Sequence, residues 1–401
     1  MADEFTEITT QGWGSRVKNA FGGIIFGIIL TVGSFPLLFL NEGRAVKRHQ
    51  SLQEGAGLVQ SVAADRIDPA HEGRLVHVTG TAEARKGEPL TDPDFGVVAP
   101  GGLKLRRKVE MYQWTEEQRR ETRNKTGGGT ETVTTYNYAK RWSPELEKSA
   151  NFHHPGGHQN PTSMPFPSDL RTAESIALGA FTLPDFFVAQ INDFQPLDGV
   201  KADTLPEALR GKVKPIENGF YVGADPAAPA VGDVRVSFSA VPAGLVSVVA
   251  QQSGETFVKY RTAAGGEIEL LQMGTRSAAE MFASAEQANK VLTWALRLAG
   301  FIAMAIGLSL VAQPLRVMAD VLPLAGRVVG MGIGFFAFLV AGIGSTITIA
   351  VAWISYRPII GIPVLVLTLG FFIWLVARLR KARPAAAPSL DPASPAPPPL
   401  T

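Results

Sequence analysis

The sequence predicts an α+β membrane protein: four transmembrane helices, with a large β-rich extramembrane domain inserted between the first and second. Three observations predict it. Apolar residues gather into one block near the N-terminus and several more after Val291, while the region between is polar and rich in Gly and Pro. Each block is long enough to cross hydrocarbon as a helix, which takes ~20 residues. The intervening region carries short β-branched runs that alternate apolar with polar, as half-buried strands do.

Residues 1–19 read as a cytoplasmic N-terminal segment. The first span is 20–40 (AFGGIIFGIILTVGSFPLLFL). A cleaved signal has a shorter apolar region of ~7–15 residues and ends in small side chains. This run ends in Leu38, Phe39 and Leu40, followed by Asn41 and Glu42, so it reads as an uncleaved anchor. Gly43 is placed to take the left-handed conformation that stops a helix. Glu42 and Arg44 then lie at the membrane surface, either simply ending the helix or docking the large domain on the bilayer.

The domain itself is expected over 41–290. Its strands are expected at Arg74–Ala82, Lys108–Trp114, a long hairpin turning at Gly127–Gly129, and a meander through Val234–Val241, Leu245–Gln251, Glu255–Arg261 and Glu267–Gln272. Glycine suits such turns because it adopts positive φ without strain. Asn151–Pro167 reads as irregular and Thr172–Ile191 as helical. Ser277 and Glu280 have the spacing of a capping box. Met281 and Phe282 follow at helical intervals, giving an amphipathic helix that lies on the membrane surface or runs straight into the second span.

The remaining spans are expected at 291–313, 328–352 and 358–379, with a cytoplasmic loop at 314–327. Arg297 is close enough to a span terminus to snorkel to the headgroups. Trp353, Tyr356 and Arg357, in the turn before the last span, suit the interface. The Pro/Ala tail 380–401 has no means of forming a core and is expected to be disordered and cytoplasmic. Arg378, Arg380, Lys381 and Arg383 place the C-terminus inside by the positive-inside rule, and Arg316 and Arg327 agree. Arg44, Lys47 and Arg48 oppose this, but long domains translocate largely regardless of charge. The large domain is therefore expected outside the cytoplasm.

A net charge of +2, with no basic stripe, gives no reason to expect a nucleic-acid partner. Cysteine is absent, which removes disulfides, thiolate metal sites and a cysteine nucleophile. No ionisable residue falls in the middle of an expected span, which argues against a pump, a secondary transporter or a voltage sensor. His153, His154 and His158 are the candidate metal ligands. They lack a His-Glu-x-x-His pattern and neighbouring carboxylates, so the reading is loop histidines and no cofactor. Gly23 with Gly27, and Gly330 with Gly334, have the four-residue spacing that lets helices approach closely in lipid, within one chain or between copies.

The segments LNEGRAVKRHQSLQEG, VHVTG, VEMYQW, TTYNYAKRW, GHQNP, GDVRVSFSAV and WISYRP occur in order. With the late run SAAEMFASAEQANKVLTWALRLAGFIAMAIGLSL, they make the chain resemble the transmembrane protein 43 family, also called LUMA, over nearly its whole length. The resemblance implies four spans, a large lumenal loop between the first two, and residence in internal membranes. It also implies self-association and, in animal cells, lamin- and emerin-type partners at the endoplasmic reticulum and inner nuclear envelope. The tail differs from the family's short basic ending. The Ala/Gly/Arg-rich, cysteine-free composition looks bacterial, where the domain faces the periplasm from the inner membrane and a lamina is absent.

The function expected from the sequence is a non-enzymatic membrane scaffold. Its partners are membrane lipids, further copies of itself and membrane proteins that the sequence does not name. The alternatives are a metal-dependent hydrolase of lipid or envelope material, using the histidine loop, and a lipid-binding sensor.

Overall fold

In a computed structural model, residues 3–85, 89–201, 205–321, 323–356 and 358–381 are described. Five helices carry the apolar stretches and their connections. They are α1 (Trp13–Leu58), α2 (Ala278–Val311), α3 (Gln313–Ala319), α4 (Pro323–Tyr356) and α5 (Pro358–Lys381). Three of them, α1, α2 and α4, are long and apolar enough to cross a membrane. Within α5, the apolar helical stretch that qualifies is short, Leu369–Arg378. The Pro/Ala tail and Arg357 lie outside the described residues.

The helix that carries the first span does not stop at Gly43. α1 runs on for a further 15 residues to Leu58, about 69 Å in all at ~1.5 Å per residue. The reason lies in its buried stripe. Leu38, Asn41, Glu42, Val46, Leu52 and Gly55 recur at helical spacing and face α2 and the β-rich body. Gly43 serves close packing instead. A Cβ there would sit 2.7 Å from the Tyr356 ring.

The body contains two larger sheets. The first is ordered β1 (Asp3–Gln11), β4 (Thr130–Ser143), β3 (Lys104–Asn124), β5 (Val234–Val241), then Gly219–Val222 and Val213–Ile216. Its core gathers Phe95, Leu105, Val109, Phe220, Val236 and Phe238. In the second, β6 (Gly244–Ser253) pairs with β2 (Leu75–Ala84). Short strands at Thr256–Val258, Phe181–Thr182 and Ile176–Leu178 connect the same two strands on the other side, closing a small ring. Val76, Val78, Phe181, Val246, Val248 and Phe257 fill it.

Several expectations are corrected by this arrangement. Thr172–Ile191 is not one helix: Gly179 takes φ +62 between two short strands, and only Asp185–Val188 is α-helical after Pro184. Val234–Val241 does not continue as a meander into the next strand. The chain changes sheets at Pro242, so β5 pairs with β3 while β6 pairs with β2. Residues 1–19, expected as a cytoplasmic N-terminal segment, supply β1, whose nine residues pair antiparallel with β4 of the β-rich domain from Asp3↔Tyr138 to Gln11↔Thr130.

The expected hairpin is present and long. β3 and β4 pair from Met111↔Ser143 to Asn124↔Thr130, and Gly127 and Gly128 turn it with φ +88 and +80. With β1 added, the hairpin becomes a three-stranded ribbon that leaves the body. Its tip meets the far end of the bundle, where the Gly127 N–H donates to the Val321 carbonyl at 3.3 Å. There Trp13 donates to the Val317 carbonyl and Arg16 pairs with buried Asp320 at 2.6 Å.

Candidate functional site

The polar residues that follow the first apolar run do not disperse into solvent. Continuation of α1 carries them onto α2 and the end of α4. Glu42 is 2 % exposed. Its carboxylate accepts from Arg297 Nε at 2.7 Å and Arg297 Nη2 at 2.8 Å, and from the Trp353 indole N–H at 2.6 Å. The bidentate fork matches a planar guanidinium to a carboxylate, the strongest common form of charge-assisted bond. Arg297 also lies over the rings of Trp294 and Trp353, at 4.7 and 5.6 Å from their centroids.

Two residues further along α1, Arg44 donates to Asn289 Oδ1 at 3.0 Å, Thr293 Oγ1 at 3.0 Å and Asn41 Oδ1 at 3.2 Å. Asn41 and Asn289 cross-brace the same pair of helices, donating to the carbonyls of Thr293 and Ala45. Arg44 thus has neutral acceptors around two of its nitrogens, while its buried Nε has no hydrogen-bond partner. At the outer edge, His49 meets Glu286 at 3.0 Å. Glu42, His49, Glu286, Asn289, Lys290 and Arg297 bound a groove of about 270 Å³. Trp294, 67 % exposed, stands at its rim.

Of the residues singled out in the sequence, Glu42, Arg44, Trp353 and Tyr356 come together here. Arg297 pairs with Glu42 rather than reaching for headgroups. Asn289 and Thr293 are the members that the sequence does not single out, although with Arg297 they recur every four residues along one helix face. Met281 and Phe282 are not at a membrane surface. They are 0 % and 5 % exposed and pack with Leu52, Ile268 and Leu270 where the helices join the ring of strands. The expected capping box is formed, with Ser277 and Glu280 bonded reciprocally.

The glycines divide. Gly27 packs on Gly307 of α2, where an added Cβ would be 2.7 Å from the Gly307 carbonyl, and Gly23 faces Gln313. Gly330 is covered by Arg316, whereas Gly334 faces open space.

The three histidines lie at the base of the ribbon and point to different partners. His153 bonds Glu116 at 3.0 Å and stacks on Tyr136. His154 stacks on Phe5. His158 is buried, stacks on Tyr138 and reaches Asp3 at 3.3 Å. Among the described residues, no group of three or more His, Asp or Glu is placed to hold a metal ion. The cluster instead anchors β1 and β3 to the body. Burial pushes the Glu116 carboxyl up, but hydrogen bonds from Tyr138 and His153 outweigh it and hold Glu116 below the usual range. Burial and the Glu116 carboxylate raise Tyr138 to about 12.

A family model described as Transmembrane protein 43 matches residues 111–358. Transmembrane protein 43 of Rattus norvegicus is 38% identical over 374 residues, covering 89% of this chain and 90% of its own. That of Homo sapiens is 37% identical over 384 residues, covering 92% of each. A Drosophila melanogaster homolog is 32% identical over 367 residues, covering 88% of this chain and 94% of its own. No solved structure matches the chain.

Proposed function

The chain belongs to the transmembrane protein 43 family, and we propose that it is a non-enzymatic, self-associating membrane scaffold that organises membrane proteins through its large β-rich domain. In this reading α5 completes four spans. The domain faces away from the cytoplasm, towards the periplasm in a bacterial cell or the lumen of the endoplasmic reticulum and nuclear envelope in a eukaryotic one.

The observation that carries the reading is the Glu42–Arg297–Trp353 junction. It ties three apolar helices to one another immediately below the point where Leu52, Met281 and Phe282 join them to the body. Such a joint holds a folded domain at a fixed height and angle on its anchor. Its charged and amide groups are committed to each other, as befits a mechanical connection. A lipid-binding reading draws on the groove beside Lys290 and Trp294, which has the mixed basic and aromatic lining of an interfacial site.

Chemical crosslinking in native membranes, followed by purification and mass spectrometry, tests the scaffold reading. It should retrieve further copies of the chain together with a reproducible set of membrane proteins. A protein that retrieves neither would count against it. Because the sequence has no cysteine, a Glu207→Cys variant in the body gives a clean topology probe, and an impermeant maleimide should label it from the extracytoplasmic side only.

A further inference from the structure

The ribbon β1–β4–β3 starts at the body and ends against Trp13, Val321 and Asp320, at the opposite end of the apolar stretch of α1. It therefore covers the same distance as that stretch. The nine residues of β1 measure about 30 Å at ~3.4 Å per residue, equal to the ~30 Å of a hydrocarbon core. Yet both ribbon faces are mostly polar, Phe5 and Ile8 being the apolar exceptions on β1. One presents Glu7, Thr9 and Gln11 beside Thr130, Thr132 and Thr134, and beside Arg120, Thr122 and Asn124. With Arg16, Gln313 and Arg316, this face borders a polar cavity of about 740 Å³. The other presents Glu4, Thr6, Ile8 and Thr10 with Val133 and Glu131 and with Glu117, Arg119, Glu121 and Arg123.

Both edges are open as well. β1 pairs only with β4, and beyond Trp114, which is capped by Asn160, β3 has no strand on its outer side among the described residues. Open backbone edges and charged faces cannot meet lipid, because nothing there accepts their hydrogen bonds. The two edges also differ in charge. β1 carries Asp3, Glu4 and Glu7 with no cation, while β3 beyond Trp114 carries Arg119, Arg120 and Arg123, with Lys125 just after it, against Glu116, Glu117 and Glu121. Arg123 and Lys125 find carboxylates within the hairpin, at Glu121 and Glu131. Arg119 and Arg120 form no ion pair among the described residues.

We infer that the free edge of β1 in one copy pairs with the free edge of β3 in a second copy, so that ribbons from successive copies close around a water-filled interior and the apolar helices face outward. The inference rests on the self-association reading and specifies its mode. β1 and β3 run in the same direction, each being antiparallel to β4, so the new ladder is parallel, as rotation of copies about a common axis requires. Glu7, level with Arg120 through Thr134, then comes beside Arg119 and Arg120 of the neighbouring copy, and closure removes the open edges as it does in a barrel.

Two differently tagged full-length chains, one with Thr9→Cys and the other with Arg120→Cys, Thr122→Cys or Asn124→Cys, are co-expressed and oxidised in the membrane. All four positions share one ribbon face, and Thr9 lies level with Thr122 through Thr132. Within one chain these strands are two spacings apart, ~9.6 Å, too far for a disulfide, which needs Cα atoms within ~7 Å. A disulfide between the two tags, in at least one register and at ~10-fold the yield of either variant alone, is the expected result. Charge reversal by Arg119→Glu with Arg120→Glu should abolish it, and adding Glu4→Lys with Glu7→Lys should restore it. Light scattering on the same preparations separates the failures. An oligomer without the disulfide overturns the strand-edge mode and leaves self-association standing; a monomer overturns both.

Discussion

At the junction of α1, α2 and α4, charged groups lie inside the fold and find their partners within the chain. Along the β1–β4–β3 ribbon, two backbone edges carry no further strand among the described residues. Glu42 is enclosed by Arg297 and Trp353, whereas Arg119 and Arg120 form no ion pair among the described residues. The difference teaches where each region's energy resides. A buried ion pair is stable only when both members and their hydrogen bonds are supplied together. Helices supply them in one chain because three can converge on a point. A ribbon presents its groups in a row, and a row is satisfied by another row.

The comparison can be broken most severely at the junction. Glu42→Ala leaves the partly buried Arg297 guanidinium without a counter-charge, and the expected loss is about 3 kcal/mol, the lower end for a broken buried pair, in detergent unfolding experiments. The double substitution Glu42→Leu with Arg297→Met, which removes both charges, should recover most of it. A smaller effect is expected where α1 and α2 touch through glycine. Gly307→Val forces a side chain against Thr31 and the Gly27 carbonyl, at an expected cost of about 1–3 kcal/mol for overpacking, read in the same way.

At the ribbon base, Tyr138→Phe removes the hydroxyl that Glu116 accepts and that the His154 N–H donates to. A loss of about 1 kcal/mol is expected for such a bond. The same site carries a pH dependence. Glu116 titrates below its ordinary value of 4.5 in the folded chain, so its contribution is complete above that value and disappears as pH falls through the lowered one. Hydrogen exchange of Asp3–Gln11 should accelerate in that acid window in the wild type, and Glu116→Gln should flatten the response. The smallest effect on the single chain is expected from Arg119→Gln with Arg120→Gln. Its unfolding should stay within about 0.5 kcal/mol of wild type, while its assembly weakens.

Much of the helical part was legible because apolar length is a direct signal of a membrane span. The hairpin was legible too, from alternation around Gly127–Gly129. The junction was half legible. Glu42, Arg44 and Trp353 stood out, but reading Asn41–Gly43 as a helix end hid the continuation, since polarity after an apolar run is the usual sign of emergence into water. Here that polarity is buried by α2, whose Asn289, Thr293 and Arg297 are separated from it by more than two hundred residues. No local pattern reports such pairing. Met281 and Phe282 misled for a related reason: an amphipathic face fits a bilayer and a protein core equally well, and only Ile268 and Leu52 decide between them. β1 leaves little trace in the sequence because nine mostly polar residues carry little hydrophobic alternation, and their partner is β4, far along the chain.

The mass of the full-length protein in lipid nanodiscs, measured by light scattering at low ionic strength and again in high salt, bears most directly on a scaffold built from repeated copies. A mass several times that of one chain, falling as salt screens the β1–β3 charges, is the result expected. A single-chain mass under both conditions would contradict it.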